Sequence, residues 1–294
     1  MKLVTLEYNG KEEAAIAEDE NYYLIKTISE AINENWEHTV DAILKADQFK
    51  DIKQWYQSYG KEQIHEHVFK SVSGAKRATL YRSPGKILGI GMNYVAKAME
   101  LSGGAPKLNP VFFMKPTSSL IGPNEGIELP SVSNHVTAEA ELAIVIGETC
   151  KDVSYIDASS YVAGFTSTLD MTAQDIRAED PLYLQRAKSF DTFFSLGSEL
   201  ITGDEFADID KIEVQTLLND HVVHKNTIAN MMYSPWFIVS FFSKIMTLNP
   251  GDVIMTGTPG SVTIRKGDVP GCKVTGFDLL ENTVCNVDKK AALV

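Results

Sequence analysis

Cysteine is scarce in this sequence, and the three that occur, Cys150, Cys272 and Cys285, are odd in number and far apart. That pattern excludes a disulfide framework and a thiolate zinc site, and it leads us to expect a reducing, cytoplasmic setting. Positive charge is short as well: 27 Lys and Arg stand against 39 Asp and Glu, a formal net charge of −12. No basic block offsets the deficit. Nucleic acid is therefore not an expected partner, because affinity for its backbone rests on Lys and Arg neutralising phosphates. Long apolar runs are also missing. None would span a bilayer, and the opening Met1-Lys2-Leu3-Val4-Thr5-Leu6-Glu7 meets charge too early for a signal-peptide core, so no membrane partner is expected. Rossmann and P-loop cradles are lacking too, since Gly257-Thr258-Pro259 has neither the lysine nor the helix start that phosphate binding needs.

What is present suffices for a full core: 294 residues, 44% of them hydrophobic. The first 83 residues are polar and charged, with strand-like pieces at 3–8 and 14–17 joined by the hairpin signal Asn9-Gly10, then apolar residues at helical spacing. We expect a small N-terminal α+β domain over 1–83 and a catalytic domain over 84–294. His38, His65 and His67 lack carboxylate or cysteine neighbours at ligand spacing and read as solvated surface.

The most informative stretch is Glu139-Ala140-Glu141-Leu142-Ala143-Ile144-Val145-Ile146-Gly147. Its apolar, β-branched character and terminal glycine predict a strand. Residues i and i+2 of a strand share a face, so Glu139 and Glu141 project together beside Ala143 and Val145. Two carboxylates at the margin of a core repel unless one is protonated or a cation sits between them. A second apolar run, 161–169, ends in Asp170. The candidate is a divalent-metal site of Glu139, Glu141 and Asp170, and an all-carboxylate set suits Mg²⁺, Mn²⁺ or Ca²⁺ over zinc.

Other stretches frame it. The run 87–91 leads into helical spacing that places Lys97 and Glu100 one turn apart on one face, by itself a surface ion pair. The apolar strand 110–116 carries Lys115 near its end, by itself a snorkelling edge residue. Ser154 and Asp157 resemble a capping box, and a helix is expected to start at Met171. Ser234 and Pro235 predict the start of a helix that is apolar almost all round and is expected to be buried. A strand at 253–256 then runs into Gly257-Thr258-Pro259-Gly260. Strands with few intervening helices favour an α+β mixed-sheet fold over a doubly wound one.

In order, Gly91-Met92-Asn93-Tyr94, Lys115-Pro116, Glu139-Ala140-Glu141-Leu142, Asp170, Lys188-Ser189-Phe190-Asp191 and Asn249-Pro250-Gly251-Asp252 with Thr256-Gly257-Thr258-Pro259 resemble the fumarylacetoacetate hydrolase family over about residues 85–294. The resemblance implies an α+β fold with a mixed-sheet, β-roll catalytic domain, a homodimer, and an Mg²⁺-type ion on Glu139, Glu141 and Asp170 that holds a small 2-oxo acid or acylpyruvate. It also implies that Lys188 adds positive charge near the enolate, that Thr258 in the Gly257-Thr258-Pro259 loop bonds the substrate carboxylate, and that Gln174, Arg177 and Lys115 belong to the substrate pocket. Hydrolysis of a C–C bond is the family default. The family's hydrolases carry a histidine where this chain has Lys97, followed by the retained Glu100. A lysine of ordinary pKa is protonated at neutral pH and cannot activate water, which shifts weight to metal-assisted decarboxylation or to isomerisation and tautomerisation. Gln174 and Arg177 stand where many members have Arg and Gln, and Asp220 and His224 where many have Gly and Gln, so the substrate does not carry over. A non-catalytic metabolite-binding protein is the reading from another class.

Overall fold

The computed structural model describes residues 1–95 and 109–286. Its centre is a long antiparallel hairpin, Val136–Ile146 against Val162–Ala173. Around it a mixed sheet runs in the order Asn21–Leu24, Lys11–Glu18, Lys2–Tyr8, Glu199–Ile201, Val162–Ala173, Val136–Ile146, Val253–Met255, Ile87–Gly91, Val111–Lys115. Most pairs are antiparallel, but Val253–Met255 lies parallel to Ile87–Gly91. A second sheet contains His221–Thr227, Glu213–Leu218, Pro270–Val274 and Leu280–Glu281. The fold is α+β, as expected.

Alternation along Val136–Ile146 feeds two cores. Ala138, Ala140, Leu142 and Ile144 pack with Val214, Cys272, Val274 and Phe242. Ala143 and Val145, on the opposite face, pack with Leu3, Ile16, Ile43, Ile52, Phe113 and Met255. The first 83 residues, expected as an appended unit, thus contribute strands that continue the main sheet through Leu3 opposite Leu200, and side chains that share its second core.

Three local expectations change. The strand through Asp170 extends to Ala173, because Met171, Thr172 and Ala173 pair with Ala138, Thr137 and Val136; the helix starts at Gln174 and runs to Glu179. Ser154 does hydrogen-bond Asp157, Oγ to Oδ2 at 2.6 Å, but the pair leads only into the 3-10 turn Ala158–Tyr161. The helix Pro235–Ile245 is capped as expected, the Phe237 amide donating to Ser234 Oγ at 3.3 Å, yet it is not enclosed. Pro235, Ile238, Val239 and Phe242 fill one buried face, while Phe237 and Ile245 are 38% and 46% exposed. Helical spacing places them on the outer side, where Phe237 stacks on Tyr233 at 5.2 Å between ring centres.

Gly164 marks an irregularity in the central hairpin, where register shifts between Val162 and Gly164. A Cβ there would stand 2.4 Å from the carbonyl oxygen of Ile201, a backbone atom that cannot rotate aside. Gly164→Ala is expected to destabilise the fold by about 1–3 kcal/mol, measured as a lower urea midpoint at unchanged m-value.

Candidate active site

Register in the central hairpin brings the three acids together. Asp170 lies directly opposite Glu139, and Glu141 lies opposite Thr168, one pair along the same face. One oxygen from each of Glu139, Glu141 and Asp170 falls within 4.8 Å of the others. They stand where the apolar face of Ala143 and Val145 gives way to a cavity.

The other edge of Val136–Ile146 supplies the next component. Met255 pairs with Ala143, and Ser261 pairs with Glu139, so residues 256–260 leave the sheet opposite Glu141. In that detour the Gly257 amide donates to Glu141 Oε2 at 2.5 Å, and Thr258 lines the cavity. Gly257 has φ +100°, and a Cβ on it would stand 2.7 Å from Cβ of Asn93, so the turn requires glycine. Buried Asn93 braces it, donating from Nδ2 to the carbonyls of Thr256 at 2.7 Å and Tyr233 at 2.9 Å.

Lys188 closes the carboxylate cluster. At the end of the short helix Leu184–Lys188, its ammonium donates to Asp170 Oδ2 and to Thr172 Oγ1 at 2.8 Å, and lies 3.4 Å from Glu139 Oε2. The ring of Phe113 sits beneath it, 4.3 Å from Nζ to the ring centre. Burial would pull this lysine down, but Asp170 and Glu139 outweigh it and raise its pKa. Asp170 is the converse case: burial pushes it up, and Lys115 and Lys188 outweigh that and hold it below the usual range. Glu141 is raised well above the ordinary carboxylate value, by burial first and then by Asp170 and Glu139. Crowding of carboxylates is relieved by a proton or by a cation between them, and the oxygen-only donor set fits a hard cation.

The cavity over this cluster measures about 390 Å³. Its polar side holds Glu139, Glu141, Asp170, Thr172, Lys188 and Thr258, with Gln174 and Arg177 from the helix that follows the strand. Gln174 donates from Nε2 to Thr137 Oγ1 at 2.9 Å and accepts from Arg177 Nη1 at 3.2 Å. Its apolar lining is made by Ile90, Met92, Val111, Phe113 and Leu184.

The structure thus gathers Glu139, Glu141, Asp170, Lys188, Gln174, Arg177 and Thr258 around one space, with Gly257 braced against Glu141. Lys115, expected beside the substrate, is instead one layer behind: it is buried, does not line the cavity, and pairs with Asp170 Oδ1 at 2.7 Å. Burial lowers its pKa to about 8 against the opposing pull of Asp170. Lys97 and Glu100 lie outside the described residues. His224 sits behind the loop, its Nε2 3.1 Å from the Ser261 carbonyl, with its ring filling the space that a Cβ on Gly260 would take. Two participants were not singled out from sequence. Thr172 is two residues beyond Asp170, so the same-face rule that paired the glutamates also locates it. Phe113 carries no such signal, since its place beneath Lys188 depends on sheet order.

Comparison with known proteins agrees with this architecture. An uncharacterized protein of Archaeoglobus fulgidus is 41% identical over 208 residues, 70% of this chain and 81% of that one. The oxaloacetate tautomerase Fahd2a of Rattus norvegicus mitochondria is 34% identical over 209 residues, 68% of this chain and 66% of that one. Among solved structures, the 5-carboxymethyl-2-hydroxymuconate delta-isomerase of Mycobacterium smegmatis superposes with a TM-score of 0.75 at 29% identity, covering 98% of this chain and 100% of that one. Residues 86–285 match the family model for the fumarylacetoacetate (FAA) hydrolase C-terminal region, and the chain belongs to the fumarylacetoacetate hydrolase family.

Proposed function

We propose that this protein is a divalent-metal-dependent enzyme of keto–enol chemistry on a small 2-oxo dicarboxylate of the oxaloacetate type, using Mg²⁺ or Mn²⁺ on Glu139, Glu141 and Asp170. The observation that carries this reading is the convergence of three carboxylates, Lys188, Arg177 and Thr258 on one cavity. A bound ion would supply Lewis-acid polarisation of the 2-oxo group and charge for the substrate carboxylate. Lys188 holds an ammonium at the same place, where it stabilises negative charge on the enolate oxygen. Tautomerisation needs no co-reactant: a proton leaves C3 and another is delivered to the oxygen on C2. Thr258, whose hydroxyl donates to the Gly260 carbonyl at 3.0 Å, would turn it to the proximal carboxylate, and Arg177, anchored through Gln174, offers its guanidinium to the distal one. The relative named oxaloacetate tautomerase, 34% identical, supports this choice within the family, as does Lys97 in place of a water-activating histidine. A homodimer, which the family resemblance implies, is part of the proposal.

Hydrolysis of an acylpyruvate is the second reading. It is favoured by the retention of Glu100 and by the apolar wall of Ile90, Met92, Val111 and Phe113, which suits an acyl chain.

Turnover is expected to vanish with chelator and to return with Mg²⁺ or Mn²⁺, and Glu141→Ala should lose both metal binding and activity. Full activity of that variant without added metal would sink the proposal, and tight binding of 2-oxo acids with no turnover would point to a binding protein. Arg177→Met should raise KM for oxaloacetate by about 10- to 100-fold, the worth of a charged hydrogen bond, while a 2-oxo monocarboxylate is affected much less. Equal effects on the two substrates in steady-state assays would remove Arg177 from the distal site.

A further inference from the structure

We propose that Lys115 is a positioning residue that fastens the Lys188–Phe193 turn to Asp170, so that the cavity's ammonium and one carboxylate of the cluster are held in register by a second lysine that never meets substrate. This inference rests on the reading of Glu139, Glu141 and Asp170 as a metal site.

The geometry is that of a clamp. Lys115 ends the edge strand Val111–Lys115, and its ammonium is fully enclosed. It donates to the carbonyls of Lys188 and Phe193, each at 2.7 Å, and of Met171 at 3.0 Å, and it faces Asp170 Oδ1 at 2.7 Å. An ammonium has three protons, so the three carbonyls use all of its donors and leave none for a ligand, and Asp170 Oδ1 is held by charge. Its partners are not scattered. Lys188 and Phe193 are the two ends of one turn, and Met171 follows Asp170 on the central strand.

The turn needs such a fastening. Thr192 within it has φ +66°, a left-handed conformation that a β-branched residue adopts only under constraint from its surroundings. Further restraints come from the Met171 amide, which donates to the Phe193 carbonyl at 3.1 Å, and from the Glu128 amide, which donates to Thr192 Oγ1 at 2.9 Å. Lys115 ties both ends of the turn and the carboxylate together. Lys188 donates to one oxygen of Asp170 and the charge of Lys115 faces the other, so the carboxylate lies between two ammonium groups. A group that orients a ligand in this way acts on metal affinity without touching the metal.

The test compares full-length wild type with Lys115→Met and Lys115→Arg. Three readouts are used: Mn²⁺ titration by calorimetry, the thermal midpoint without metal, and steady-state kinetics on oxaloacetate. In folded Lys115→Met the Kd for Mn²⁺ should weaken by about 10- to 100-fold, as for other outer ligands of metal sites, and kcat should fall with KM nearly unchanged. Should that variant not fold, Lys115→Arg, which keeps the charge but not the shape, gives the same comparison. An unchanged Kd in a folded variant overturns the inference, and so does a raised KM at constant kcat, which would place Lys115 on the substrate. Wild type that binds no Mn²⁺ would overturn the metal reading and this inference with it. Tight binding by wild type and variant alike would overturn only the inference.

Discussion

Repulsion among Glu139, Glu141 and Asp170 is the constraint on which the rest of the site depends. Adjacent strands hold these carboxylates within 4.8 Å, where the low dielectric of the core margin strengthens every charge interaction. The chain answers with positive charge and donors from several directions. Lys188 reaches Asp170 and Glu139, Lys115 takes the other oxygen of Asp170, and the Gly257 amide meets Glu141. The two lysines lie on elements far apart in sequence, so the cluster also ties the Val111–Lys115 edge strand to the short helix Leu184–Lys188.

This compensation is uneven, and the unevenness is what a metal can use. Asp170 has two lysines and stays below the ordinary carboxylate range, whereas Glu141 is met by a backbone amide and is raised well above it. On the cavity side, Glu141 is thus met by a backbone amide and, among the described residues, not by a lysine hydrogen bond. Beneath Lys188, Phe113 belongs both to the cavity wall and to the core shared with the first 83 residues. Every described residue lining the cavity nevertheless lies between Ile90 and Thr258, so the N-terminal strands and helices support the site from beneath.

Much of the site was legible because strand geometry is local. The two-residue period that puts Glu139 and Glu141 on one face holds wherever the strand ends up, and the chain order of Asn93, Lys115, Asp170, Lys188 and Thr258 carries the family resemblance. Less legible were features that depend on a neighbour. The helix Pro235–Ile245 was expected to be enclosed from its composition, but whether Phe237 meets protein or water depends on what packs against that face. The strand through Asp170 outran its expected end because pairing with Val136–Ile146 continues to Ala173, and local propensity does not report pairing.

By itself, then, the sequence determined the carboxylate pair, the α+β class and the family, all of which derive from spacing along the chain or from residue order. Only the tertiary structure decided that Asp170 stands directly opposite Glu139, that the loop after Met255 bends around Glu141, and that two lysines with similar credentials part ways. Lys188 faces the cavity, and Lys115 faces the backbone behind it. Each is the last residue of a short element, Val111–Lys115 or Leu184–Lys188, and the difference lies in which side of Asp170 each approaches. That is set by sheet order, a long-range property that no local pattern encodes.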